Sequence, residues 1–411
     1  MRGIGRTWPF ALFALLLAGA CAGPAAQPAA APPRPIAPAS TAADADVAPA
    51  LQPVDAWLAS QSEEDRFSGV VLAAKGDQIL LRKGYGYANR SWNTPFTPTA
   101  KFQIASLTKQ FTSAAILKLQ DDGVLTVDDP VCRWIKPCPD AWAPVTLHHL
   151  MTHTAGVREV IRRGDYPVTS RRVQTPAEQT AASAALPLDF PPGTQYRYSN
   201  GGYQLLGDVI ERASGKTYAE YLRTAFFEPL GMQNTGYEDG RTVHPELAQG
   251  YDWQDGRVVR PLFRDPSVIF SAGGLYSTAD DLRTWTRALH SGRAISAQAF
   301  AQMSGRAGPP ERYAVRPRQG WDLLYAYGLM RAPAGRFTDP GFDDEQVFHT
   351  GSWNGFRLYL THAPAADVTV VVLSNRIDQP AQVLLAAQKA MAASLGRPIP
   401  DRTAPPPGRA D

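Results

Sequence analysis

The chain of 411 residues carries 41 lysines and arginines against 38 aspartates and glutamates, and its formal charge is +3 at pH 7. This balance, without a basic stripe or a nucleic-acid motif, gives no electrostatic reason to expect a polyanionic partner. A central body of about 345 residues exceeds a typical single core, so two subdomains are expected.

The N-terminus predicts export. Arg2 and Arg6 precede an apolar run at 10–17, and small residues lead to Cys21. This pattern is typical of a secretory signal peptide, expected over residues 1–20. The small residues before Cys21 resemble a bacterial lipobox, so we expect a lipid on Cys21 and a membrane-anchored, periplasmic lipoprotein. Ordinary cleavage near the same place is the alternative.

A tether is predicted over residues 21–50. The 29 residues at 22–50 include 13 alanines and 7 prolines, a composition that cannot build a core. A spacer of this kind suits a globular domain that stands off a membrane. We expect that domain to span 51–396, and the polar, proline-rich tail at 397–411 to be disordered.

The apolar pattern predicts strands at both ends of the domain and helices in its middle. Strands are expected at 69–88, with a hairpin turn at Gly76-Asp77, and at 346–375. The middle, about 106–290, is expected to be mostly helical. Its predicted helices lie at 203–213, 218–227 and 279–290, and a last helix begins near Ala381. The fold class is therefore α+β, with one antiparallel sheet built from both chain ends, flanking helices and an inserted helical subdomain.

Ser106-Leu107-Thr108-Lys109 is the first motif with chemical potential. Residues three apart share one face of a helix, so the serine and lysine side chains can meet. A lysine that burial holds partly neutral can take the serine proton and make a nucleophile. The following run at 110–119 is apolar on every side, so this helix is expected to be buried. The structural alternative is a helix-capping serine beside a solvated lysine.

A pair of cysteines and a pair of histidines lie between the first motif and the second. Cys132 and Cys138 predict a small disulfide in an oxidising compartment, and two free buried thiols are the alternative. His149 and His153 have the spacing of a zinc-binding helix but lack the glutamate of the metalloprotease signature. We therefore expect no metal site and no cofactor.

Tyr198-Ser199-Asn200 is the second motif, on a loop that enters a helix. A phenol beside a lysine ammonium is expected to have a lowered pKa, so Tyr198 can relay the serine proton. Asn200 offers an amide donor and acceptor that can orient Lys109 or a substrate amide. An ordinary packed aromatic is the alternative for Tyr198.

His349-Thr350-Gly351 is the third motif, followed by Ser352 and an alternating, strand-like run at 356–361. A glycine in this place lets a substrate approach the strand backbone closely. The backbone N–H that follows it can donate to a developing oxyanion, beside the N–H of Ser106.

Together the motifs resemble those of the serine β-lactamase and penicillin-recognising enzyme superfamily. The resemblance runs over about 54–395 and includes the supporting stretches at 150–156 and 271–282. It is greatest for the branch of class C β-lactamases, DD-peptidases, D-amino-acid peptidases and related esterases. In that branch the second motif begins with tyrosine and the third often reads His-Thr-Gly.

The resemblance implies a role for each matching residue. Ser106 would be the acylated nucleophile, Lys109 its base or proton relay, and Tyr198 the general acid and base. The main-chain N–H groups of Ser106 and Ser352 would form the oxyanion hole. The implied substrate-binding residues are Asn200, His349, Thr350, Gly351 and Ser352.

One departure bears on the substrate. Class C β-lactamases usually carry lysine where His349 stands, and a histidine is neutral much of the time at pH 7. This favours a periplasmic hydrolase that acts through an acyl-enzyme on D-amino-acid, peptidoglycan-like peptides or on esters and amides. The alternatives are a true β-lactamase with fast deacylation, and a catalytically silent cell-wall or partner-binding lipoprotein on the same fold.

Overall fold

The computed structural model describes residues 47–403, apart from 160, 162, 309–311, 320 and 321. The predicted signal peptide, Cys21 and tether residues 22–46 lie outside these described residues, as does the tail at 404–411. The domain begins earlier than expected. The Ala48 N–H donates to the Leu80 carbonyl at 2.8 Å, so residues 47–50, assigned above to the tether, pack against the sheet.

A seven-stranded antiparallel sheet is the centre of the described part of the molecule. The strands in chain order are β1 (Gly69–Lys75), β2 (Gln78–Tyr85), β3 (Tyr87–Asn89), β4 (Thr94–Pro95), β5 (Phe102–Gln103), β6 (Gly236–Tyr237), β7 (Asp252–Gln254), β8 (Arg257–Val259), β9 (Leu275–Ser277), β10 (Leu324–Tyr325), β11 (Met330–Pro333), β12 (Thr338–Asp339), β13 (Glu345–Trp353), β14 (Phe356–Ala363), β15 (Val368–Ser374) and β16 (Arg402–Thr403). The strand order in the central sheet is β10-β11-β13-β14-β15-β1-β2. The expected sheet from both chain ends is confirmed, because β1 pairs along its whole length with β15.

The α-helices surround this sheet and fill the middle of the chain. They are α1 (Gln52–Glu63), α2 (Thr108–Asp121), α3 (Leu147–Met151), α4 (Tyr166–Thr169), α5 (Pro176–Ala184), α6 (Asn200–Ser214), α7 (Tyr218–Leu222), α8 (Glu228–Leu230), α9 (Phe270–Gly273), α10 (Ala279–His290), α11 (Ala297–Met303) and α12 (Pro380–Leu395). The predicted helix at 218–227 begins as α7 and continues as a π-helical turn, Arg223–Phe227. The middle is not purely helical, since β5, β9 and β6 form a small sheet within it.

Two hydrophobic clusters cover the two faces of the central sheet. One face packs against α1 and α12, and the other against the helices of the middle region. Every residue of β15 is buried, which explains its continuous Val-rich run instead of an alternating pattern. Helix α2 is buried on all sides, as its sequence predicted, and its Phe111 stacks on Trp285 of α10 with ring centroids 4.1 Å apart.

The C-terminal segment corrects the expectation of a disordered tail from residue 397. Strand β16 pairs with β12, and the Lys389 ammonium donates to the Pro400 carbonyl. Arg397 forms an ion pair with Asp344. These contacts hold residues 397–403 against the domain.

Two further observations concern the cysteines and the membrane. Cys132, on the 3₁₀ turn Val131–Arg133, is joined to Cys138 by a disulfide. In the described part of the chain, no helix is both long and apolar enough to cross a membrane.

Candidate active site

Ser106 lies where a strained turn meets a buried helix. It is the middle residue of the 3₁₀ turn Ala105–Leu107, which runs directly into α2. Ala105 has a φ of +48°, a left-handed conformation that a side chain makes costly and that concentrates at functional sites. The turn leaves Ser106 half-buried at the edge of the core, and Lys109 in the first turn of α2 lies 3.1 Å from its Oγ.

The Lys109 amine is enclosed by three oxygen atoms. Besides Ser106 Oγ, its Nζ contacts Asn200 Oδ1 at 2.8 Å and the Ala272 carbonyl at 2.7 Å. Lys109 is 0% exposed, and burial lowers its pKa to about 7 while the charge of Glu159 raises it. The two carbonyl oxygens can only accept. A neutral amine therefore gives its two N–H bonds to them and turns its lone pair towards Ser106 Oγ, which is the geometry of a base.

Glu159 fixes the orientation of Asn200. One oxygen of its carboxylate accepts hydrogen bonds from Asn200 N at 2.6 Å and from Asn200 Nδ2 at 3.2 Å. Because the amide nitrogen is held by the carboxylate, the amide oxygen must face Lys109. Sequence reasoning missed Glu159, since it sits in a loop outside all three motifs and only the fold brings it, 7% exposed, behind Asn200.

Tyr198 reaches the nucleophile from another direction. Its hydroxyl donates to Ser106 Oγ at 2.9 Å. The expectation of a lowered Tyr198 pKa is wrong, because burial raises this pKa well above its ordinary value of 10. Tyr198 is therefore a neutral phenol in the resting site, and it is suited to giving a proton rather than to taking the first one.

A series of hydrogen bonds connects Ser199, next to Tyr198, with His349 of the third motif. His349 Nδ1 lies 2.7 Å from the Thr350 carbonyl and must donate to it, so His349 Nε2 accepts from the Tyr325 hydroxyl at 3.2 Å. Tyr325 in turn accepts from His153 Nε2 at 3.0 Å, and His153 Nδ1 accepts from the Ser199 N–H at 3.2 Å. Both imidazoles are neutral in this arrangement. Burial lowers the pKa of His349 to about 3, so no cation stands at this position.

The third motif lies on an open strand edge. Strand β11 pairs with β13 only as far as Phe348, whereas β14 pairs with β13 through Trp353. Among the described residues, no strand covers the other edge of 349–353. A Cβ on Gly351 would lie 2.8 Å from the Ile104 carbonyl, so glycine lets β13 lie against the turn that carries Ser106. Thr350 is half-buried and Ser352 is exposed on this edge.

The histidines at 149 and 153 are used by the fold. His149 caps α3, where its Nδ1 accepts from the Thr146 N–H. His153 belongs to the hydrogen-bonded chain just described, and its ring packs 4.3 Å from that of Tyr198. Within the described residues, no group of three histidine, cysteine, aspartate or glutamate side chains could hold a metal ion.

Comparison with known proteins shows the family of the chain. The family model described as Beta-lactamase matches residues 54–393. The chain belongs to the beta-lactamase family. Members of this family are serine hydrolases, and the predicted resemblance is thereby confirmed.

Individual relatives agree with this assignment. Penicillin-binding protein 4* of Bacillus subtilis is 30% identical over 76% of this chain, and D-aminopeptidase of Gluconobacter oxydans is 29% identical over 82%. The chain spans 69% and 60% of the lengths of these two relatives. The crystal structure of a penicillin-binding protein from Bacillus halodurans matches with a TM-score of 0.69 and 29% identity, over 81% of this chain and 98% of that one. The fold of this beta-lactamase family member is therefore the β-lactamase/transpeptidase fold.

The position of Glu159 leads to a prediction about pH. If neutral Lys109 is the base, kcat/KM rises with pH and has a midpoint near 7, the pKa that burial leaves it. Glu159→Gln removes the charge that favours the ammonium, so the pKa of Lys109 falls and the midpoint moves to lower pH. A pH–rate profile measures the shift. Glu63→Gln, at an exposed acid in α1, is the control, and an unmoved midpoint in Glu159→Gln contradicts the electrostatic role.

The hydrogen bond from Tyr198 to Ser106 leads to a prediction about the catalytic rate. Tyr198→Phe keeps the ring that packs on His153 but removes the hydroxyl that contacts Ser106. We expect kcat/KM to fall by about 100-fold or more, the usual scale for losing a general acid. Tyr196→Phe is the matched control, because its ring also lies beside His153. A loss below about threefold in Tyr198→Phe would leave Lys109 as the sole proton carrier.

Proposed function

We propose that this protein hydrolyses amide or ester bonds of D-amino-acid compounds, including peptidoglycan-like peptides, through an acyl-enzyme on Ser106. The observation that carries the proposal is the pair of contacts that Ser106 Oγ makes with a base and with an acid. The lone pair of the buried Lys109 amine faces it, because the amine N–H bonds go to Asn200 and Ala272, and the neutral phenol of Tyr198 donates to it.

Acylation follows from these contacts. Ser106 Oγ attacks the substrate carbonyl carbon and its proton passes to the lone pair of Lys109. As the bond to the leaving nitrogen or oxygen breaks, Tyr198 gives its proton to that atom and regains one from the Lys109 ammonium. The N–H groups of Ser106 and Ser352 are assigned to the oxyanion, and each such donor is typically worth about 10²–10³ in rate.

Deacylation reverses this sequence with water. A water molecule attacks the ester carbon and gives its proton to Tyr198, which passes its own proton to the neutral amine of Lys109. Ser106 Oγ then leaves with a proton from the Lys109 ammonium. The acid and the free enzyme are the products, and no other reactant is consumed. Proton transfers of this kind need groups whose pKa values lie near the working pH, and burial brings that of Lys109 to about 7.

The neutral third motif favours peptidase or esterase activity over β-lactamase activity. His349 is buried among Tyr325 and the Thr350 carbonyl and holds no charge at pH 7. A substrate carboxylate therefore meets no cation at this end of the edge of β13. The relative from Gluconobacter oxydans is named a D-aminopeptidase, which supports D-amino-acid substrates.

Intact mass of the full-length protein after treatment with a penicillin tests the proposed activity. We expect a persistent adduct on the parent protein, absent from Ser106→Ala, because attack would be fast and deacylation slow. D-phenylalanine amide and a D-alanine ester are assayed beside it, and Ser106→Ala should turn over neither. Consumed penicillin without an adduct would indicate a β-lactamase. No adduct and no turnover of any substrate would contradict the proposal and favour a silent binding protein.

We also propose that the protein is exported and anchored in the membrane by a lipid on Cys21, with the catalytic domain in the periplasm. The basic and apolar pattern before Cys21 and the alanine- and proline-rich segment after it support this location. The disulfide between Cys132 and Cys138 fits an oxidising compartment. Cys21→Ser should move the protein from the membrane fraction to the soluble fraction after cell breakage. Retention in the membrane fraction would contradict the lipid anchor.

A further inference from the structure

Arg264 packs against two aromatic rings, one of which ends the strand that carries the third motif. Its guanidinium lies 5.5 Å from the ring centre of Trp353 and 5.7 Å from that of Tyr166. Trp353 ends β13, directly after Ser352. Tyr166 begins α4, close enough for the charge of Glu159 to affect its hydroxyl. One cation is therefore held between the substrate-binding strand and the loop that supports Asn200.

This cation has no anionic partner among the described residues. Its nearest acidic neighbour in sequence, Asp265, uses its carboxylate to accept from Ser267 N at 3.0 Å and from Ser267 Oγ at 2.6 Å. By contrast, Arg158 and Arg163, on the facing loop, are both paired with aspartates. Arg264 itself is exposed. The two rings hold it in place and leave its N–H groups available to a ligand.

Two unused donors lie beside the guanidinium. Within the described residues, neither the Tyr166 hydroxyl nor Trp353 Nε1 has a hydrogen-bond partner, although both atoms are buried. Tyr166 as a whole is only 8% exposed. An unsatisfied buried donor is costly unless a ligand accepts from it. A carboxylate accepts several hydrogen bonds at once and pairs well with a guanidinium.

The position of Arg264 shows which half of the substrate it meets. The leaving group must be next to Tyr198, which gives it a proton, and Tyr198 lies on the side of Tyr325 and His349. Trp353 is four residues further along β13, about 13 Å from His349 at the usual rise of a strand. The carbonyl carbon that Ser106 attacks would lie between His349 and Trp353. If the leaving group lies towards His349, the acyl half lies towards Trp353 and therefore beside Arg264.

We propose that Arg264, with Tyr166 and Trp353, forms a subsite for a carboxylate in the acyl half of the substrate. The inference rests on the proposed function, because it takes Ser106 as the nucleophile and Tyr198 as the proton donor. It adds a preference that the neutral His349 cannot supply. Acyl groups with a free carboxylate, such as an acidic peptide stem, should be chosen over neutral ones of the same size.

Binding to the Ser106→Ala protein tests the subsite without requiring turnover. The probes are N-succinyl-D-alanine 4-nitroanilide and its methyl ester, which differ in the acyl-half charge. We expect calorimetry to show that the acid binds about tenfold or more tighter, as a hydrogen-bonded charge pair allows. Arg264→Gln in the Ser106→Ala background should abolish that ratio. Arg260→Gln, on the same loop with its own contact to Ser91, should keep it.

Other outcomes would overturn the inference. Equal affinity for the two probes, no binding of the acid, or a ratio that survives Arg264→Gln would each do so. An equal loss of affinity for both probes in Arg264→Gln would mean that Arg264 only supports the local structure. Failure of the proposed function is seen separately, as absent Ser106-dependent turnover of D-amino-acid amides and esters by the parent protein.

Discussion

The enclosure of one amine, that of Lys109, is the interaction on which the rest of the site depends. Burial lowers its pKa to about 7, and the Asn200 and Ala272 oxygens occupy its other bonds. A more exposed lysine would remain an ammonium and could not act as a base at neutral pH. The packing around the start of α2 is therefore part of the chemistry, since the ring centres of Tyr198 and Tyr203 lie only 4.9 and 5.4 Å from the amine and help to bury it.

The architecture brings together three parts of the chain that are distant in sequence. The sheet joins the chain ends through β1 and β15, and the inserted middle region supplies Asn200 and Glu159. Gly351 completes the arrangement, since a side chain there would meet the Ile104 carbonyl just before the nucleophile. The open edge of β13 then lies next to Ser106, where an extended substrate can lie along it.

Charge is distributed unevenly along this edge. At one end, the chain of hydrogen bonds through Tyr325 makes His349 a neutral acceptor. At the other end, Arg264 lies between two aromatic rings without an acidic partner in the described part of the chain. A substrate bound between them would meet a neutral environment at its leaving group and a cation at its acyl group. Selectivity in such a site depends on loops as much as on the catalytic motifs.

Short spacing and apolar periodicity are local properties, and from them the amino-acid sequence predicts the fold class. The motifs with Ser106, Lys109, Tyr198 and His349 are local too, and they carry the resemblance that predicts the family. The sequence could not locate Glu159 or Arg264, which lie in loops whose neighbours come from distant segments. It also led to the wrong direction for the Tyr198 pKa and to a tail that was too long. Burial raises the pKa of Tyr198, and the pairing of β16 with β12 orders the first part of the expected tail. Desolvation and pairing between distant strands arise only when the chain has folded, so neither can be read from local sequence patterns.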